Sequence, residues 1–154
     1  MNDIYPLTLL YDGDCAICRF EVASLERRDT LRRLRFVDIA APDFDARGWW
    51  RHNGFARFPS AAELDARIHA VTAGREILVG VDVFRHAWRA VGLGALAAPL
   101  GRRLLRPLAE RGYLAFARRR HALSRRLRPM FDAITPRNDE RCANGACHQY
   151  RRGD

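Results

Sequence analysis

Two cysteines three residues apart, Cys15 and Cys18, stand where a strand-forming run, Leu7 to Tyr11, hands over to a helix-compatible stretch, Arg19 to Arg28. The first backbone N–H groups of a helix have no intrahelical acceptor, and its aligned peptide dipoles leave partial positive charge at that end. A thiolate at Cys15 is stabilised by both, and Cys18 lies on the same side of the first turn, within reach of it. The chemistry this predicts is thiol–disulfide exchange, in which Cys15 attacks, a mixed disulfide forms and Cys18 resolves it. Asp12 belongs to the same candidate site, either as the acceptor of the Cys18 proton or as a cap for the turn's backbone N–H groups. Asp12 and Asp14 disfavour a neighbouring thiolate, whereas the helix end and Arg19 favour it. Neither intervening residue, Ala16 or Ile17, is cationic, so the expectation is a reductase-leaning dithiol needing no bound organic cofactor.

Other chemistries compete for the same cysteines. A four-ligand zinc site also begins with Cys-x-x-Cys, and a second pair, Cys142 and Cys147, lies near the C-terminus beside His148. On that reading the chain is a non-enzymatic, zinc-stabilised binding module. Against it, Cys18 runs straight into Arg19-Phe20-Glu21-Val22 rather than into a Gly-rich knuckle. A structural disulfide is a third reading, and a reducing compartment argues against it. The second pair could also relay electrons to the first, with Asn144-Gly145 turning its two thiols together.

The elements that must position the dithiol follow from periodicity. Leu7 to Tyr11 and Leu34 to Ile39 read as parallel strands joined by the helix that starts at Ala16, a βαβ unit with a right-handed crossover. Phe44 to Trp50 reads as a short helix stopped near Asn53-Gly54, and residues 60 to 65 are helix-compatible. Trp49 and Trp50 either cap the dithiol or fill the core. Ile68 to Val71 and Ile77 to Val79 form a hairpin across Thr72-Ala73-Gly74-Arg75. Val83, Phe84, Ala87, Trp88 and Val91 recur at helical spacing. Further helices are expected over Ala95 to Leu105 and Pro107 to Leu127, with breaks at Pro99 and Pro107 and a stop at Pro129. From about Pro136 the chain reads as a mobile tail. The expected division is 1–130, one domain with a C-terminal helical extension, and 131–154, a polar Cys-containing tail.

Tyr11-Asp12-Gly13-Asp14-Cys15-Ala16-Ile17-Cys18 resembles the signature of the DCC family of thiol-disulfide oxidoreductases. Leu34-Arg35-Phe36-Val37-Asp38, Ala66-Arg67-Ile68-His69, Gly80-Val81-Asp82-Val83-Phe84 and Ala117-Arg118-Arg119-Arg120 follow in the family's order, over about residues 5 to 120. The resemblance implies an α/β fold with a thioredoxin-like three-layer core, β-α-β then a β-hairpin and helix, extended by C-terminal helices, and a redox role. One departure stands out: thioredoxin-like proteins carry a cis-proline before the strand facing the dithiol, whereas here Leu64-Asp65-Ala66-Arg67 precedes Ile68. Arg67 or His69 is then expected beside Cys15.

The chain has 154 residues, 48% of them hydrophobic, enough for one core. All its basic residues are arginine; residues 101–154 hold 14 Arg against 5 Asp and Glu, so the net charge of +9 belongs to the last third. Arg118-Arg119-Arg120 and Arg125-Arg126, interleaved with Leu114, Phe116, Leu123 and Leu127, suggest an amphipathic basic helix for an anionic membrane surface. A solvated helix face is the plainer reading, and nucleic acid the weaker one. Val91 to Leu105 is too short to span a bilayer. The first residues lack a basic, then apolar, leader pattern, so the expected location is cytoplasmic, peripheral to a membrane if the basic helix binds one. The expected partner at the dithiol is a protein or small-molecule thiol or disulfide.

Overall fold

The computed structural model describes residues 3–135. Four strands, β1 (Leu7–Tyr11), β2 (Leu34–Asp38), β3 (His69–Val71) and β4 (Ile77–Val79), form one sheet in the order β2-β1-β3-β4. β1 and β2 are parallel, with Leu7 opposite Leu34 and Tyr11 opposite Asp38. β3 is antiparallel to both β1 and β4. Helix α1 (Ala16–Arg28) makes the β1–β2 crossover, α2 (Ala46–His52) and α3 (Ala61–Ala66) lie between β2 and β3, and α4 (Val81–Ala90) follows β4. This is the α/β, thioredoxin-like arrangement expected from the sequence.

The pleat divides the core in two. On one face Leu7, Leu9 and Ala70 meet Leu25 of α1 and Val83, Ala87 and Ala90 of α4. On the other, Leu10, Val37 and Val71 meet Trp49, Trp50 and Leu64. The two tryptophans therefore fill the core under α2 and α3, on the opposite side of the sheet from α1. Trp50 is enclosed by Trp49 and Phe55 edge-on and by Phe58 in a parallel stack. α3 starts with a full capping box: the Ser60 hydroxyl accepts the Glu63 N–H while Glu63 accepts the Ser60 N–H.

Two expectations about the C-terminal helices need correction. The stretch from Ala95 to Leu105 is not one helix: α5 (Gly94–Ala97) gives way to a 3-10 turn, Ala98–Gly101, and then to a hydrogen-bonded turn over residues 103–105. Pro129 does not stop the last helix, because α6 (Arg106–Ile134) runs through it. Proline there removes the N–H owed to the Arg125 carbonyl, but Arg125 is exposed, so water can serve that carbonyl. Beyond the proline, Phe131 packs against Phe20 of α1 at 5.2 Å between ring centroids, and Asp132 pairs with Arg19. These contacts hold the final turn, and residues 131–134, expected in the tail, are helical. Cys142, Cys147 and His148 lie outside the described residues.

Candidate functional site

The turn between β1 and α1 is built by carboxylates that accept backbone N–H groups. Asp12 Oδ1 accepts the Asp14 N–H at 2.9 Å. Asp38, at the end of β2, accepts the Gly13 N–H at 2.8 Å and the Ala40 N–H at 2.9 Å. A Cβ at position 13 would overlap the Asp38 carboxylate, so glycine is required there for close approach. Asp38 is a positioning residue that the motif alone did not single out. Its signal was parallel pairing, which sets the end of β2 beside Tyr11.

Cys15 is the N-cap of α1, with its Sγ accepting the Cys18 N–H at 3.2 Å. Cys15 and Cys18 are joined by a disulfide, with Cα atoms 5.2 Å apart. Cys15 is fully buried, at 0% exposure, whereas Cys18 is only partly buried.

The cover is α6. Ser124, buried, accepts the Ala16 N–H through its hydroxyl at 2.8 Å and so caps a donor at the start of α1. Arg128 donates to the Asp14 carbonyl at 3.2 Å. Arg19, fully buried, donates to the Gly13 carbonyl at 2.6 Å and pairs with Asp132. Its guanidinium is thus committed to the turn's backbone and to a carboxylate.

Arg120 reaches back from α6 to the far side of the same turn. It is buried, lies 3.5 Å from Asp12 Oδ2 and 2.9 Å from Asp65 Oδ1, and donates to the Asp65 carbonyl. The Asp12 and Asp65 carboxylates and His121 have ligand atoms within 4.8 Å of one another. That spacing suits a cation, and the Arg120 guanidinium pairs with both carboxylates. Asp12 thus uses one oxygen for the turn and presents the other to Arg120.

The segment before β3 is tied down by α6 as well. The Tyr113 hydroxyl accepts the Ile68 N–H at 2.7 Å, so this backbone donor is already used. Burial pushes the Tyr113 hydroxyl pKa up. The His69 ring makes a local backbone contact. Its Nδ1 lies 2.9 Å from the Arg67 carbonyl, and the residue lines a cleft with Arg57, Phe58, Pro59, Glu63 and Ile77. Burial lowers its pKa below the usual imidazole value. The basic helix is also not a free face throughout: Arg120 and Ser124 are buried, and Leu114, Phe116 and Leu127 are partly buried.

A thioredoxin-like sheet with a Cys-x-x-Cys disulfide at the N-terminus of the first helix defines a protein of the dithiol class. The profile of the DCC1-like thiol-disulfide oxidoreductases matches residues 9–126, most of the chain, which therefore belongs to that family. An uncharacterized chloroplastic protein of Arabidopsis thaliana is 32% identical over 91 residues, covering 58% of this chain and 39% of the relative. The chain thus spans about two fifths of the length of that relative. No solved structure matches significantly.

Proposed function

We propose that this protein exchanges disulfides through Cys15 and Cys18 and works in the reducing direction. The observation that carries the reading is the position of Cys15 as N-cap of α1, its sulfur receiving the Cys18 N–H in a disulfide that closes on the helix end. The direction follows from the charges. No cation stands between the cysteines, and Arg19, the first one after them, is spent on the Gly13 carbonyl and Asp132. Strong oxidants owe their potential to extra stabilisation of the reduced form. Titrating the disulfide against glutathione is expected to give a potential near the ~−270 mV of thioredoxin; a value near the ~−120 mV of strong oxidants would overturn the direction. A dithiol that never cycles, together with zinc held by Cys15, Cys18, Cys142 and Cys147, would replace the enzyme reading with the binding-module one.

A second surface supports docking on an anionic bilayer from the cytoplasmic side. Leu96, Leu104 and Leu108 are 61%, 90% and 68% exposed, and Arg102, Arg103 and Arg111, near them in sequence, are exposed as well. Exposed leucines interleaved in sequence with exposed arginines combine apolar insertion with attraction to acidic headgroups. No helix among the described residues is long and apolar enough to cross a membrane. Co-sedimentation with phosphatidylglycerol vesicles, lost in a Leu104→Ser, Leu108→Ser variant and absent with phosphatidylcholine, is the expected result. Equal binding by the variant would remove this reading.

A further inference from the structure

We propose that Cys18, rather than Cys15, is the sulfur through which the dithiol exchanges with its substrate, and that Cys15 is the enclosed partner that departs or resolves. The proposal rests on the redox reading above and assigns the order of events within it. It reverses the order expected from the sequence, where the helix end favours Cys15 as the attacking thiolate.

Access separates the two cysteines. Exchange requires a thiolate to reach the attacked sulfur. Cys15 has no exposed surface, and Cys18 does. The backbone on both sides of buried Cys15 is tied down. Its own N–H donates to the Asp12 carbonyl at 3.2 Å, the next N–H is held by Ser124, and Arg128 clasps the Asp14 carbonyl. Arg19 and Asp132 pin the same helix against α1, with Phe131 on Phe20. With α6 packed on both neighbours of Cys15, that residue keeps no exposed surface, whereas Cys18 keeps some.

The environment suits Cys15 to the other role. As the N-cap, its Sγ already accepts the Cys18 N–H at the positive end of α1, so charge arriving on that sulfur meets a preset donor. In the first step the thiolate of a low-molecular-weight thiol attacks Cys18 Sγ. A new sulfur–sulfur bond forms to Cys18, the Cys15–Cys18 bond breaks, and its electron pair leaves on Cys15 as a thiolate. A second thiolate then attacks the donor sulfur of the mixed disulfide and releases Cys18 as a thiolate. Two donor thiols have been oxidised to one disulfide, the protein disulfide has been reduced to a dithiol, and the two donor protons balance the two protein thiolates. Reduction of a substrate disulfide is the reverse sequence, with the mixed disulfide again on Cys18 and Cys15 resolving it.

The test uses the reduced full chain with Cys15→Ser or Cys18→Ser and glutathione disulfide as probe, following adducts by mass spectrometry with fragmentation to locate them. The adduct on Cys18 in C15S is expected to form about tenfold or more faster than the adduct on Cys15 in C18S. Equal rates, or a faster adduct in C18S, would overturn the order while leaving the redox reading intact. No adduct in either variant, with a wild-type dithiol that does not cycle, would overturn the redox reading itself. Should a variant fail to fold, brief iodoacetamide labelling of the reduced wild type gives the same answer: Cys18 is expected to be labelled first, and labelling of Cys15 first or at the same rate would overturn the proposal.

Discussion

The core under α2 and α3 and the packing of α6 around the dithiol are held by different chemistry. Under α2 and α3 the contacts are aromatic, with Trp50 enclosed by Trp49, Phe55 and Phe58. Around the dithiol, α6 is held mainly by directional polar contacts: Ser124 on the Ala16 N–H, Arg19 on Asp132, and Arg120 on Asp12 and Asp65. Apolar burial stabilises in proportion to area and tolerates small shifts, whereas hydrogen bonds and ion pairs fix position at modest net gain. Apolar burial on both faces of the sheet supplies the stability, and the polar contacts of α6 place the sulfurs.

Trp50→Ala tests the first half of that contrast and carries the largest expected effect. Removing a fully buried indole costs about 3–5 kcal/mol, read as a fall in the midpoint of denaturant unfolding. The relative reactivity of Cys15 and Cys18 in the remaining folded protein should not change. Ser124→Ala tests the second half. It leaves the Ala16 N–H buried without its acceptor, at a cost of about 1–3 kcal/mol, and is expected to speed alkylation of Cys15 in reduced protein more than it lowers the unfolding midpoint. An unchanged Cys15 rate would show that Ser124 does not hold the cover in place.

The smallest effect is a pH dependence on the aromatic side. Burial depresses the His69 pKa, so below its ordinary value of ~6.5 the unfolded chain takes up a proton that the folded chain refuses. The stability this group contributes is complete above ~6.5 and is lost as pH falls through the depressed folded value. Unfolding midpoints measured from pH 7.5 downward should decline on this account, and His69→Gln should flatten that part of the decline. An identical slope in both proteins would assign the pH dependence elsewhere.

The dithiol was legible because its determinants are local. Strand residues, a tight turn and a helix N-terminus within twelve residues mark Cys15 as the cap. The boundaries of β1, α1 and β4 follow from the same short-range patterns. Trp49 and Trp50 were ambiguous, since an aromatic pair carries no label for which face of a sheet it covers. Only the pairing of β1 with β3, and the pleat it imposes, sets them away from α1.

Helix α6 marks the boundary between what the sequence determined by itself and what the tertiary structure decided. Its apolar and arginine spacing specifies a helix, but the same pattern suits a free basic face or a packed one. Pro129 argues locally for a stop, yet the helix continues because Phe131 and Asp132 find Phe20 and Arg19 on α1. The sequence alone established a dithiol at a helix end, through interactions spanning a few residues. How the neighbourhood of Cys15 is enclosed was decided by contacts such as Ser124 on Ala16, 108 positions apart, which exist only once the packing of α6 on α1 has brought these distant segments together.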